Sequence, residues 1–268
     1  MFAAHRQAGY SLRFDWARHG VDAIALDADV TVVIDVLSFT TTLTVALDGG
    51  TTVLPYRWND STAAEYARRH DAVLAVNRSE AGIGQISLSP GTLRTSPRPE
   101  RLVLPSPNGS SMAHHLSEHA HTVLGASLRN ASAVAQWISS HYGPAASSVA
   151  VIAAGELWPD GSLRPAVEDL WGAGAVIAAL QSRGWHSSSP EARTAATAWR
   201  SVSHDILAAL SESASWSSHI VRCGVDGSGV AGSGSGHLRL RRYRRSRIGA
   251  PPMMSSLTAP SSRQPSAW

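Results

Sequence analysis

Apolar positions in the first third of the chain fall into two kinds of run. Short, β-branched runs at 30–37, 51–55 and 72–76 have the length and continuity of buried strands. Between them, residues 38–47 and 61–70 carry apolar side chains at helical spacing. This order of strand, helix, strand, helix and strand predicts an α/β fold with a mostly parallel or mixed sheet flanked by helices.

The same alternation continues along the chain. Further strands are predicted at 102–104, 122–124 and 148–154. Further helices are predicted up to His119 and at 127–142, 167–183 and 190–210. Residues 82–99 are rich in Gly, Ser and Pro, and we interpret them as an active-site loop or as a link between two lobes.

Charge is distributed unevenly along the chain. There is no Lys, and seven of the 23 basic residues, all Arg, lie between residues 237 and 268. No acid follows Asp226, so residues 1–226 carry 16 Arg against 20 acids, a formal charge of −4. The overall charge of +3 therefore belongs to the C-terminal end, and nucleic-acid binding by the remainder is not expected.

The composition also changes near residue 213. Residues 227–236 are dominated by Gly and Ser, and residues 237–247 form an Arg-rich run. Such segments bury little apolar surface. We therefore predict a globular α/β domain at 1–212 and a disordered tail at 213–268.

Several classes of protein are excluded by what the sequence lacks. A single Cys, Cys223, excludes an internal disulfide framework and a site of several thiolates. Residues 1–20 carry scattered Arg, His and Asp instead of a signal-peptide pattern, and no apolar run approaches the roughly 18–20 residues of a membrane span. We expect a cytoplasmic protein without a membrane partner, which could form a homo-oligomer.

The first candidate site follows the run at 30–37. Asp35 ends an apolar strand, and hydroxyl residues from Ser38 to Thr42 open the next helix. In an open parallel sheet, ligands bind beyond the carboxyl ends of the strands. A carboxylate there can hold Mg²⁺, and helix-start amides can hold phosphate. The alternative is that Asp35 only caps the helix.

The second candidate site follows the run at 148–154. Glu156 comes just after this strand, Arg164 lies in the next loop, and Glu168 and Asp169 open a helix. Acids in a first helical turn are favourable simply because of the helix dipole. Two of them, with Glu156 and Arg164 upstream, could instead form a hard-cation site beside an anion clamp.

The third candidate is the loop containing Asn108 and Gly109. It is either an ordinary turn or an amide-rich loop that binds phosphate oxygens. His115 and His119 have the spacing of a zinc pair, but no acid accompanies them as in metalloproteases, so a solvated helix face is the simpler interpretation.

Taken in order, these motifs resemble the 2-phosphosulfolactate phosphatase (ComB-like) family. The resemblance rests on the segment Asp35–Thr42, the pair Asn108–Gly109, the pair Ala154–Gly155 and the segment Glu168–Gly174. It covers about residues 25–210. It implies an α/β phosphoric monoester hydrolase that uses Mg²⁺ to hydrolyse a small anionic phosphate ester.

The resemblance also implies roles for individual residues. The acids around Mg²⁺ would be Asp35, Glu168 and Asp169, with Glu156 as a candidate general base. Ser38, Thr41, Asn108 and Gly109 would line the phosphate. Arg78 and Arg164 would clamp anionic groups, because a guanidinium binds phosphate or sulfonate in bidentate fashion.

The chain departs from the family pattern in two places. Residues 77–80 and 87–90 differ from the usual polar loops, which concerns the identity of the substrate. Beyond about residue 213, acidic helix and strand segments are replaced by Gly/Ser-rich and Arg-rich sequence. We hypothesise a frameshifted or otherwise non-native C-terminus, which translation of the gene in its other frames would test.

Two alternatives stay open from the sequence. The chain could be a catalytically inactive family member. It could also bind anions or nucleic acid through the Arg-rich run at 237–247, although Tyr243 is the only aromatic residue within that run.

Overall fold

The computed structural model describes residues 3–57, 61–78, 80–82, 84–106, 108–119 and 122–216, and two strand segments at 239–240 and 257–258. The strands are β1 (Leu12–Trp16), β2 (Val30–Ile34), β3 (Thr52–Tyr56), β4 (Val73–Leu74), β5 (Arg101–Pro105), β6 (Val123–Ala126), β7 (Val149–Ala153), β8 (Glu156–Leu157), β9 (Leu163–Arg164), β10 (Arg239–Leu240) and β11 (Leu257–Thr258). The α-helices are α1 (Ala17–Gly20), α2 (Phe39–Asp48), α3 (Ser61–Arg69), α4 (Pro90–Thr95), α5 (Gly109–His119), α6 (Ala131–His141), α7 (Val167–Gln181), α8 (Pro190–Val202) and α9 (Ile206–Glu212).

The strands form two main sheets. The first sheet has the order β1-β7-β2-β6, and every pair in it is parallel. The second has the order β10-β11-β3-β5-β4, in which β3, β5 and β4 are parallel and the β11–β3 and β10–β11 pairs are antiparallel. Strands β8 and β9 form a separate antiparallel hairpin. This architecture confirms the predicted α/β fold with a mostly parallel or mixed sheet.

Strands β2 and β7 lie in the middle of the first sheet and are buried along their whole length. Their continuous Val, Ile and Ala sequences fit this position, because a parallel strand covered on both faces has no solvent-facing side. One face packs on α6, α7 and α8, and the other packs on α5 and the π-helical turn at Val21–Ala25.

Helix α7 lies unusually close to the end of β2. A Cβ atom placed on Gly172 would lie 2.6 Å from Val36 Cγ2, so only glycine permits this approach. The close contact brings the first turn of α7, with Glu168 and Asp169, to the carboxyl end of the first sheet.

The observed elements differ from the expected ones in two respects. The region 190–210 forms two helices, because Asp205 starts α9 by accepting a hydrogen bond from the Ala208 amide. Strand β1 was not predicted at all. Ser87 in the segment 82–99 forms an isolated bridge with Val76 just after β4, and the chain passes between the two sheets through α2 and α5. The prediction that 82–99 is an active-site loop or a link between two lobes is not tested.

The predicted boundary at 212/213 is not tested directly, and most of the predicted tail lies outside the described residues. Ser213 and Ser215 are buried, and Trp216 packs against the main core. The residues of β10 and β11 are strands in the second sheet, where disorder was predicted. The hypothesis of a frameshift remains untested.

Candidate active site

Three parallel strands end side by side at one edge of the first sheet. Ile34 at the end of β2 is in register with Ala153 of β7 and with Ala126 of β6. Asp35 and Gly155 therefore follow neighbouring strand ends. Ligands of open parallel sheets bind at this edge, so the structure brings the first two candidate motifs together at the expected place.

Asp35 is held in a buried position by backbone amides. Its carboxylate is 7% exposed and accepts hydrogen bonds from the amides of Phe39 and Gly109. Thr40 fixes the backbone of Asp35 by bonding both its N–H and its carbonyl, at 2.9 and 2.7 Å. The N-cap of α2 is Ser38, so Asp35 is not the cap of this helix.

The pKa of Asp35 is raised to about 6. Burial is the main cause, because it disfavours the charged form, and the negative charge of Glu168 adds to it. The guanidinium of Arg78 and the two amides oppose the shift. The shift therefore reflects the loss of contact with water more than the charge of the neighbouring acid.

Asp169 joins two strand ends to the start of α7. Its Oδ1 accepts the amide of Val36 at 2.7 Å, and its Oδ2 accepts the amide of Gly155 at 2.9 Å. The side chain is only 3% exposed, and burial, followed by the charges of Asp35 and Glu168, raises its pKa well above its usual value. Both oxygens thus already have backbone partners, which makes Asp169 a structural connector of the site.

Glu168 has a different environment, although it is the next residue. It is 2% exposed, yet its Oε2 has no hydrogen-bond partner. Burial raises the pKa of this carboxyl, the charge of Glu156 raises it further, and a hydrogen bond from Ser215 opposes the shift. A buried carboxylate oxygen without a hydrogen-bond donor destabilises the folded protein unless a cation or ligand satisfies it.

Within the described ranges, no group of three or more His, Cys, Asp or Glu side chains is arranged to hold a metal ion. The predicted ligand set of Asp35, Glu168 and Asp169 is therefore not assembled as a three-acid cage. Mg²⁺ commonly needs only one or two protein carboxylates, with water and phosphate oxygens completing its shell. The unpartnered Glu168 oxygen beside Asp35 fits that requirement.

The hairpin β8–β9 forms the outer side of the site. Arg164 Nη1 donates to Glu156 Oε2 at 2.6 Å, and the Arg164 guanidinium lies 5.5 Å from the centre of the Trp158 ring. Glu156 and Arg164, predicted as general base and anion clamp, therefore neutralise each other. Both are partly exposed, so an anionic ligand could reach Arg164.

Two of the residues predicted to line the phosphate, Ser38 and Thr41, differ in their exposure to solvent. Ser38 is the only residue of the loop at 35–38 that is not fully buried, and its hydroxyl makes no capping bond. Thr41, by contrast, is 1% exposed and donates its hydroxyl to the Val36 carbonyl, so it supports the loop and does not line an open site.

Asn108 and Gly109 connect the third candidate motif to the other two. Asn108 Nδ2 donates to the Gly155 carbonyl at 3.1 Å. A Cβ on Gly109 would lie 2.7 Å from Asp35 Oδ2 and from Phe39 Cδ1, so glycine is required for the amide to reach the carboxylate. The Asn-Gly loop is thus part of the site's framework and more than an ordinary turn.

Arg78 lies beside the same loop. Its Nη2 donates to the carbonyls of Leu37 and Leu88, the latter at 2.9 Å, and its charge favours ionisation of Asp35. These contacts hold the loop and offset its acidity, whereas the predicted contact with substrate is not tested.

Only one histidine of the pair at 115 and 119 has a described side chain. His115 Nε2 lies 3.2 Å from Asp22 Oδ1, while the side chain of His119 lies outside the described residues.

Ser215, which contacts both Arg164 and Glu168, was missed from the sequence, because an isolated Ser in a Ser-rich stretch carries no recognisable signal.

A cluster of acids at the carboxyl edge of a parallel sheet, next to helix-start amides and hydroxyls, is typical of α/β enzymes that act on phosphorylated ligands. The family model of 2-phosphosulpholactate phosphatase matches residues 20–227, so the chain belongs to this family. The family is one of phosphoric monoester hydrolases, which confirms the predicted enzyme class. Comparison with individual curated proteins gave no match.

Two points remain, the question of a membrane span and that of nucleic-acid binding. No helix in the described ranges is long and apolar enough to span a membrane. Binding of nucleic acid through 237–247 was only an alternative to the expected enzyme, and it is not tested, because that run lies outside the described residues except for Arg239 and Leu240.

Proposed function

We propose that this chain hydrolyses the phosphate monoester of a small anionic hydroxy acid similar to 2-phosphosulfolactate, with Mg²⁺ as cofactor. The observation that carries the proposal is the buried, unpartnered Glu168 Oε2 beside Asp35. Family membership supports the reaction class, and the surplus of buried acid supports the need for a cation.

Asp35 and Glu168 would hold the cation. Asp169 would support them from behind, because its own oxygens bind the amides of Val36 and Gly155. When bound, Mg²⁺ would offset the charge of the phosphoryl group and orient it for attack by water. Occupation by a cation would also lower the pKa of both carboxyls, since it stabilises their charged forms.

The substrate would lie between the loop at 35–38 and the hairpin β8–β9. The Ser38 hydroxyl and the polar groups of Asn108 would contact phosphate oxygens. Arg164 would bind the second anionic group of the substrate, a carboxylate or sulfonate, for which its planar donors are well suited. Such binding would release Glu156 from its ion pair.

Glu156 is our candidate for the general base. It is partly exposed on the hairpin, whereas the other acids are buried, so among them it has the best access to a water molecule. A carboxylate in this place can accept a proton from the attacking water. Release from Arg164 on substrate binding would couple its use as a base to the presence of substrate.

The test measures phosphate release from a panel of small phosphate monoesters, including 2-phosphosulfolactate, with Mg²⁺ or with EDTA. We expect Mg²⁺-dependent turnover that falls at least ~100-fold in Glu168→Gln, because the variant removes a carboxylate that would hold the cation, and the cation offsets charge on the phosphoryl group. Glu65→Gln, on the surface of α3, is the matched control and should stay within about 2-fold. Turnover that persists in EDTA, or a folded protein without turnover on any ester, would contradict the proposal.

A further inference from the structure

The segment that follows α9 packs onto the body of the protein at the active site. Ser213 and Ser215 are 4% and 2% exposed, and Ser213 Oγ accepts the amide of Trp216 at 3.2 Å. The Trp216 side chain packs against the core of the first sheet. Residues 213–216 are therefore an ordered part of the body, and the family match, which extends to residue 227, includes them.

Ser215 connects the hairpin to the first turn of α7. Its Oγ accepts a hydrogen bond from Arg164 Nη1 at 3.1 Å, and its hydroxyl donates to the carboxylate of Glu168. The same Arg164 nitrogen also donates to Glu156 Oε2. A continuous hydrogen-bonded chain thus runs from Glu156 through Arg164 and Ser215 to Glu168.

The contact with Ser215 also determines which oxygen of Glu168 has no hydrogen-bond partner. Because Oε2 has no partner, the bond from Ser215 must go to Oε1. Ser215 therefore anchors one carboxylate oxygen and leaves the other for a cation or ligand. A rotation of the Glu168 side chain would break this bond, so the serine restricts the carboxylate to one orientation.

We propose that Ser215 is a positioning residue of the active site, which orients the Glu168 carboxylate and the Arg164 guanidinium toward each other. The inference rests on the proposed phosphatase function and names a residue beyond the domain boundary expected from the sequence. Ser215 needs no contact with substrate for this role. It acts through Glu168, which would hold the cation, and through Arg164, which would bind the substrate; residues that orient metal ligands commonly act in this way.

The experiment compares Ser215→Ala and Ser215→Thr in the full chain, with Ser211→Ala as control. Ser211 is exposed on α9 and bonds only the carbonyl of Ala208, so its replacement should leave turnover unchanged. For Ser215→Ala we expect kcat to fall ~10-fold and the half-saturating Mg²⁺ concentration to rise several-fold, as for residues that orient metal ligands. Ser215→Thr retains the hydroxyl and should recover most of both parameters.

Equal kcat and equal Mg²⁺ dependence in Ser215→Ala and Ser211→Ala would overturn the inference. A wild type without Mg²⁺-dependent turnover would instead count against the proposed function. In that case a double-mutant cycle in urea unfolding decides, with Ser215→Ala and Arg164→Met as the single changes. Non-additive effects support the contact, whereas additive effects overturn it.

Discussion

Two segments border the acidic site, and they are stabilised in opposite ways. The loop at 35–38 is buried except for Ser38, and buried side chains satisfy its backbone groups, as the carboxylate of Asp169 does for the Val36 amide. The hairpin β8–β9 is exposed, with Leu157 and Trp158 about half accessible to solvent. The side-chain pair of Glu156 and Arg164 joins the two strands of the hairpin, and a hydrogen bond from Arg164 to Ser215 links the hairpin to the body.

Because of this difference, the loop and the hairpin should differ in how easily they rearrange. Buried hydrogen bonds to backbone amides are costly to break, because the amides lose their only partner. Partly exposed ion pairs contribute little, because water competes for both charges. We therefore expect the loop to hold the acids in fixed positions and the hairpin to rearrange when an anionic substrate reaches Arg164.

The strongest test of this contrast is Asp169→Ala. The change leaves the buried amides of Val36 and Gly155 without an acceptor, at roughly 1–3 kcal/mol for each donor. We expect the free energy of unfolding, measured with urea in EDTA, to fall by about 2–5 kcal/mol. Glu168→Ala is the matched control in the same helical turn, and it should change stability little because it removes a buried charge. Equal losses in both variants would contradict the distinction between these two acids.

The second test is the pH dependence of stability without metal. The pKa of Asp35 rises from 3.8 in the unfolded chain to about 6 in the fold, so the folded state binds the proton more tightly. The stabilisation that Asp35 gives the fold through this tighter proton binding is fully present below about pH 4. It is lost as the pH rises through 6, and the whole loss of unfolding free energy is up to about 3 kcal/mol. The difference in stability between wild type and Asp35→Asn, followed by urea unfolding from pH 4 to 7.5, isolates this loss.

Added Mg²⁺ should oppose this loss above pH 6, because it stabilises the ionised carboxyl. A flat difference between wild type and Asp35→Asn across this pH range would show that burial does not raise the pKa of Asp35.

The third test replaces Gly109 with Ala. The new Cβ would lie 2.7 Å from Asp35 Oδ2 and Phe39 Cδ1, so either the loop or the start of α5 must move. We expect a loss of about 1–3 kcal/mol in unfolding free energy, as for overpacking of a core, together with lower turnover. Gly143→Ala is the control, since nothing lies within 4 Å of its new Cβ. A neutral Gly109→Ala would show that the loop is less constrained than its contacts indicate.

The smallest effect is expected in the hairpin. Glu156→Gln breaks the pair with Arg164, both partners of which are partly exposed, so unfolding free energy should change by less than about 1 kcal/mol. Turnover should nevertheless fall clearly if Glu156 is the general base. Destabilisation as large as that of Asp169→Ala would show that the hairpin belongs to the rigid part of the site.

The elements that the sequence predicted well are those whose local pattern agrees with their environment. Strands β2 and β7 are apolar throughout and buried on both faces, and α7 carries small and apolar residues along a buried helix. Strand β1 was missed because it contains Arg13 and Asp15. Arg13 is 5% exposed, and its burial depends on an ion pair with Asp27 and on the carbonyls of Tyr10 and Ile24. A local sequence pattern does not show that residues outside the strand will pair with a buried Arg.

The sequence by itself determined the class of fold, the family resemblance and the positions of acids just after strands and at a helix start, because these depend on local periodicity. Only the tertiary structure decided what each acid does. Asp169 is satisfied by two amides that are distant in sequence, whereas the neighbouring Glu168 keeps an unpartnered oxygen. That difference arises because the partners of a buried polar group are those that packing brings to it. Here the partners lie in the loops after β2 and β7 and on the segment that contains Ser215.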